Sequence, residues 1–221
     1  MSGWLLGIAM VFTTTLVTAN IIAVKLVALG DYIVPAALVI FPLSYIFGDV
    51  LTEVYGYRRA RQVIWLGFAC NALAVVAIYI GQLLPPAVPF QDAQGAYERI
   101  LGYAPRLLAG SFVAYLIGEF TNSFVLAKMK VATQGRMLWA RTIGSTVIGA
   151  GLDTATFNAI AFGGALPNEV LLNIIMTAWF LKVVYEIAVT PLTYAVVNFL
   201  KRKEGIDTYD RETNFNPLAM G

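Results

Sequence analysis

Residues 41–62 read FPLSYIFGDVLTEVYGYRRARQ, and the fold depends on how this stretch is interpreted. It begins as the end of an apolar run. It then places Asp49 and Glu53 four residues apart, one helical turn, and finishes in Arg58, Arg59 and Arg61. Two carboxylates at that spacing repel each other unless one is protonated or a cation lies close. The three arginines are the expected source of that cation. The same arginines also suit the end of a membrane span.

The rest of the chain decides between a soluble helix end and a membrane span. Of 221 residues, 59% are hydrophobic and 13% are charged, about half the charged share of an ordinary soluble domain. The apolar residues come in long stretches, not short alternating ones, which predicts an all-α integral membrane protein. There is no histidine, which removes the usual proton shuttle near neutral pH and the commonest metal ligand. No metal site and no cofactor are expected. Cys70 is the one cysteine, so an intrachain disulfide is excluded. Nucleotide-binding loops and nucleophile motifs are absent, which disfavours an enzyme and any ATP-driven step within this chain. The first residues lack a positive region and a clear cleavage site, so they read as a retained helix.

Six segments match the roughly 20 apolar residues that a span requires: about 4–28, 33–54, 62–84, 106–127, 141–163 and 170–199. Basic residues follow the even-numbered spans: Arg58, Arg59 and Arg61; Lys128, Lys130, Arg136 and Arg141; Lys201, Arg202, Lys203 and Arg211. The opposite loops hold only Arg99 and Arg106. This asymmetry puts both termini in the cytoplasm, and an even span count agrees. Residues 1–203 then form the transmembrane domain and 204–221 a cytoplasmic tail. The connection at about 85–105 is broken by prolines and glycines, with room for a short interfacial helix around AYERILG.

The two halves share a pattern. TANIIAVK, with Asn20 and Lys25, parallels TNSFVLAK, with Asn122 and Lys128; GDVLTE, with Asp49, parallels GLDTAT, with Asp153. Three spans per half would make the repeat inverted in the membrane, an arrangement that places substrate where the halves meet.

Ionisable residues inside spans need a partner, a proton or water. Asp49, Glu119, Asp153, Lys182 and Glu186 are the main candidates; Lys25 and Glu53 lie nearer span ends. Ser111, Tyr115, Glu119, Asn122 and Ser123 form one polar face on span four, which either lines a cavity or makes a hydrogen-bonded helix seam. Thr146, Gly149 and Thr156 share a side with Asp153, and Gly149 permits close approach of a ligand or a helix. Lys182 and Glu186 are spaced to neutralise each other, in the less favourable order for an exposed helix. Phe41, Tyr45 and Asp49 share a face, and aromatic rings leading to a carboxylate suit a flat ligand with N–H edges.

Taken together, FPLSYIFGDVLTEVYGYRRARQ, GEFTNSFVLAKMK, RTIGSTVIGAGLDTATFNAIAF, FLKVVYEIAVTPLTYAVVNFLKRK and the tail motif NFNP resemble the vitamin uptake transporter family, also called the queuosine precursor transporter family. The resemblance runs from about residue 13 to 203. It implies a six-helix carrier of the bacterial inner membrane for 7-deazaguanines, the nitrile preQ0 or the aminomethyl preQ1, scavenged for tRNA modification. The partners implied are a small planar base and membrane lipid, with no direct contact to nucleic acid. On this reading Asn20, Phe41, Tyr45, Asp49, Glu119, Asn122, Asp153 and Asn158 bind substrate. Lys25, Glu53, Arg58, Lys182 and Glu186 form a gating or charge network. One departure is Ala150, where relatives often carry an amide three positions before the span-five Asp.

Two other readings stay open at this point. One is the substrate-binding subunit of a vitamin transporter driven by a separate ATPase. The other is a structural membrane protein whose polar residues all pair across helices. Small residues such as Ser145 and Gly149 suit packing within one bundle or between two copies in a homodimer.

Overall fold

Helix α1 (Gly3–Ile22) starts where Ser2 accepts the Leu5 N–H at 3.1 Å, an N-cap that satisfies one of the free donors of the first turn. The computed structural model describes residues 2–29, 32–102 and 105–219. After α1 the chain departs from the sequence expectation. Strands β1 (Leu26–Leu29) and β2 (Tyr32–Pro35) pair antiparallel, with Leu29 opposite Tyr32. A 3-10 turn (Ala36–Val39) leads into α2 (Phe41–Val50), which continues as a π-helical segment (Leu51–Tyr55). The first helix is therefore shorter than 4–28, and 33–54 is not one helix. The chain is otherwise helical, as expected, with this two-stranded pairing as an addition. Its sequence signal is short: two apolar runs, LVAL and YIVP, the second rich in aromatic and β-branched residues, flank the pair Gly30-Asp31.

Five more helices follow: α3 (Tyr57–Leu83), α4 (Gln91–Leu101), α5 (Pro105–Ala132), α6 (Leu138–Phe162) and α7 (Asn168–Glu204). The short helix expected around AYERILG is α4. Helices α1, α3 and α7 are each long and apolar enough to cross a membrane. They turn large apolar side chains outward, among them Leu66, Leu73 and Val76 on α3 and Leu172, Met176 and Phe180 on α7. Such surfaces are stable only against lipid or another apolar partner. The chain is a helical membrane protein. With 37 residues, α7 extends about 55 Å, and Pro191 lies within it, removing one helical hydrogen bond.

Helices α5 and α6 lie nearly backbone to backbone. A Cβ on Gly149 would sit 2.8 Å from the Asn122 Cβ and 3.0 Å from the Gly118 carbonyl oxygen; one on Gly118 would sit 2.7 Å from the Asp153 Cβ. The close approach that Gly149 permits is therefore made by a helix. Gly149→Ala is expected to destabilise the bundle by about 1–3 kcal/mol, the usual cost of overpacking, because backbone atoms must shift. Thermal unfolding in detergent measures this; a wild-type midpoint would contradict the packing described.

The apolar core sits at the end of the bundle that carries the basic residues. Phe12, Val50, Leu51, Val54, Leu138, Val197 and Leu200 are buried there together, drawn from α1, α2, the π-helical segment, α6 and α7. The segment after α7 folds back over this end. Asp210, 4% exposed, accepts the Tyr57 N–H at 2.9 Å and so caps the first turn of α3, where a negative charge is favoured. Gly56 precedes that turn with φ +82, and a Cβ there would lie 2.7 Å from Thr208. Phe215 packs on Tyr57 and Phe124, and the Lys128 ammonium lies 4.2 Å from its ring centre.

Candidate functional site

The polar interior divides into two layers. The first surrounds Glu53, which is fully buried in the π-helical segment. Irregular helical turns of this kind often occur at functional sites. Arg141, at the start of α6, grips both carboxylate oxygens, Nη2 to Oε1 at 2.8 Å and Nε to Oε2 at 3.3 Å. Lys201 from α7 donates to Oε1 at 2.7 Å. Lys130 from α5 donates to the Glu53 backbone carbonyl and lies 3.6 Å from Oε1. Asp207 of the tail binds the same two lysines, at 2.5 Å from Lys130 and 2.9 Å from Lys201. Glu53 thus joins three helices, and the tail shares its cations.

These partners correct one expectation. The cations that neutralise Glu53 come from α5, α6 and α7, not from the arginines that follow it in sequence. Arg58 is exposed and outside this layer. Arg59 donates to Gln62. Arg61, 3% exposed, donates to the tail carbonyls of Asn214 and Asn216 at 2.9 and 2.7 Å. Lys25 is exposed beside the hairpin, where its backbone carbonyl accepts the Ala36 N–H. The reason is geometric. Gly56 breaks the helix between Glu53 and the arginines, so α3 carries them away from it.

Burial pushes the Asp207 carboxyl up, but hydrogen bonds from Lys130 and Lys201 outweigh this and hold it below the ordinary carboxylate value. A lowered carboxylate contributes stability above its unfolded pKa, about 3.9, and loses it as pH falls through the folded value. The tail is therefore expected to stay docked from neutral pH to about 4 and to loosen below that. Asp207→Asn should loosen it at neutral pH. Hydrogen exchange of residues 206–217 measures both; protection unchanged in Asp207→Asn would exclude this role for the pairing.

The second layer lies one turn from Glu53 along α2. Asp49 is fully buried and accepts the Asn122 Nδ2 at 2.7 Å through Oδ1. Its Oδ2 has no hydrogen-bond partner, and neither do Asn122 Oδ1, Thr146 Oγ1 or Glu186 Oε1. Each belongs to a residue at most 2% exposed. Buried acceptors without donors are uncommon and costly. The Lys182 ammonium reaches Asp153 at 2.5 Å and Thr154 at 3.0 Å, so its closest carboxylate is on α6, not Glu186 on its own helix. Tyr45 is within electrostatic reach of Asp153, Glu119, Glu186 and Asp49. The Glu119 carboxylate lies close to Gly48, where a Cβ would be 3.3 Å away.

Other expected residues have structural partners. The Tyr115 hydroxyl donates to the Ile64 carbonyl at 3.0 Å, and Thr52 donates to Ser123 at 3.1 Å. The polar face of α5 is thus a hydrogen-bonded seam at those two positions. Asn20 donates to Asn71 at 3.1 Å, and Asn158 to the Thr154 carbonyl of its own helix at 2.8 Å. The side chain of Phe41 lies outside the described residues. Surface grooves occur among the described residues. One, of 390 Å³, lies between Trp4, Phe47 and Phe199, and another beside Asn198 and Arg202. Neither touches the carboxylates, which are the chemically distinctive feature. Asp49 is fully buried, so a ligand reaching it requires the helices to part.

Sequence reasoning missed Lys130, Arg141, Lys201, Asp207 and Asp210 as site residues. The first three were noticed only as loop charges that orient the chain.

Residues 35–196 match the family described as "Putative vitamin uptake transporter". The chain is 31% identical over 189 residues to a protein of Bacillus subtilis (strain 168) named "Probable queuosine precursor transporter", a match covering 85% of this chain and 82% of that one. No solved structure matches the chain.

Proposed function

Since the chain belongs to the vitamin uptake transporter family, and is therefore a transporter and not an enzyme, we propose that it imports 7-deazaguanine precursors of queuosine, preQ0 or preQ1, as a solitary carrier. On this reading α1, α2 with its π-helical extension, α3, α5, α6 and α7 make six spans of a bacterial inner membrane. Both chain ends face the cytoplasm, and the halves before and after α4 are related as an inverted repeat. The basic end is then cytoplasmic, and the Glu53 layer is its gate, closed here.

The observation that carries this reading is the set of unpartnered acceptors Asp49 Oδ2, Asn122 Oδ1 and Glu186 Oε1 in a buried layer. A 7-deazaguanine offers N1–H and a 2-amino group as adjacent donors on a flat ring. One carboxylate accepts both, Tyr45 supplies an aromatic surface, and Asn122 turns toward the ring. Such polar groups give orientation and specificity inside an otherwise apolar site.

The test is uptake of labelled preQ0 and preQ1 into vesicles that contain only this protein. Saturable uptake of either compound is expected. Correctly folded protein that transports neither would overturn the solitary carrier, and recovery with an added ATPase partner would favour the subunit reading.

A further inference from the structure

The charges in the Asp49 layer do not balance. Asp49, Glu119, Asp153 and Glu186 all act on Tyr45, and Lys182 is the ammonium that pairs with one of them. If every carboxylate ionised, three negative charges would be left without a cation in a low-dielectric interior. That cost is several kcal/mol or more per charge. The Glu53 layer, one turn away, sets three cations, Arg141, Lys201 and Lys130, against two carboxylates, Glu53 and Asp207, but all three are bound within that layer, so its one surplus positive charge offsets at most one of the three. The other titratable groups around the layer are Tyr45, Tyr115 beside Glu119, and Tyr185 beside Glu186, none of which supplies positive charge. In the ligand-free protein the surplus must be held as protons.

We infer that this layer selects a positively charged ligand, the 7-deazaguanine with a protonated aminomethyl arm over its neutral nitrile counterpart, and exchanges a proton for it. The inference rests on the carrier reading above and deepens it. Two observations point to a ligand in addition to the acidic cluster. Asn122 Oδ1 is an unpartnered acceptor on a 2% exposed residue already bonded to Asp49, and Asp49 Oδ2 is unpartnered beside it. Among the described residues no group of three His, Cys, Asp or Glu side chains is placed to hold a metal ion.

The exchange conserves charge. A neutral carboxyl, on Asp49 or Glu186, releases its proton to water. The resulting carboxylate accepts the ligand ammonium in a charge-assisted hydrogen bond, roughly twice as strong as a neutral one. The base ring keeps its donors for the remaining acceptors. The nitrile makes the ring contacts alone; on this inference the ring's paired donors go to Asp153, already ion-paired with Lys182, so no proton is displaced. The ammonium, with a pKa of about 10 like other alkylamines, remains charged throughout the range in which the carboxyls titrate. Raising the pH empties the carboxyls, so the cation binds more tightly as pH rises.

Calorimetry on the purified full chain, in two buffers of different ionisation heat between pH 5.5 and 7.5, tests this with preQ1 and preQ0. PreQ1 is expected to bind at least tenfold tighter at pH 7.5, to release about one proton, and to gain about tenfold in affinity per pH unit by linkage; preQ0 should show no such slope. Equal affinities with no proton release overturn this inference and leave the carrier reading standing. Binding of neither compound, without uptake, overturns both. Asp49→Asn and Glu186→Gln remove charge while keeping shape. One of them should bring preQ1 within threefold of preQ0, and unchanged selectivity in both, as folded protein, also overturns it.

Discussion

Arg141→Met is expected to destabilise the folded protein by about 3–5 kcal/mol, the usual cost of removing one partner from a buried ion pair. Arg141 is 1% exposed. It donates twice to Glu53, to Thr133 Oγ1 at 3.2 Å, and to the Arg136 carbonyl. Methionine fills much of the same volume, so the loss is electrostatic more than steric. Glu53 would keep Lys201 at 2.7 Å, with Lys130 at 3.6 Å, and would lose its only two-point partner. The double variant Glu53→Gln with Arg141→Met should cost clearly less than the sum of the singles, because neither buried charge is then left alone. Thermal unfolding in detergent reads both effects. A single variant within 1 kcal/mol of wild type would mean that the pair contributes little to holding the bundle end shut.

Lys182→Met is expected to lower substrate uptake about a hundredfold while leaving the bundle folded. Its ammonium bonds Asp153 and Thr154 and is partly exposed, at 23% of its side chain, so its removal opens no sealed cavity. A hydrogen bond to a charged group contributes about 1.5–3 kcal/mol, which corresponds to roughly ten- to more than hundredfold in rate or affinity. Without Lys182 the Asp49 layer has four carboxylates and no ammonium. Asp153 then loses its ion-pair partner. If neutralising Asp153 is the main task, adding Asp153→Asn should restore at least part of the uptake. Reconstituted vesicles and double-mutant analysis measure this, and normal uptake by Lys182→Met would remove the pair from the transport cycle.

The presence of helices α3, α5, α6 and α7 follows from apolar length, but α3 starts before its apolar run and α5 and α7 continue past theirs into charged residues; the buried carboxylates are legible as exceptions to that length. Strands β1 and β2 are not legible in the same way, because their apolar residues extend the runs of two expected spans. The tail offers a second contrast. NFNP at 214–217 resembled a family motif but had no physical reading until Arg61, Trp65 and Lys128 were seen against it. Trp65 donates to the Pro217 carbonyl at 2.9 Å, so Asn214, Asn216 and Pro217 act through backbone oxygens that side-chain patterns do not reveal, while Phe215 acts through its ring.

The stretch at 41–62 shows the division. Its sequence alone established that Asp49 and Glu53 share a helical face in a chain of membrane-spanning composition, and that this pairing needs compensation. Spacing along a helix fixes such relations within one element. Only the tertiary structure decided who compensates whom. Glu53 is neutralised by Arg141, Lys201 and Lys130, which lie 88, 148 and 77 residues away, while Asp49 has only an amide, Asn122, 73 residues away. Coulomb interactions depend on distance in space, and the break at Gly56 turned the nearest arginines elsewhere. The two carboxylates are alike in sequence, and among the described residues the fold gives Glu53 three cations and Asp49 no ion pair.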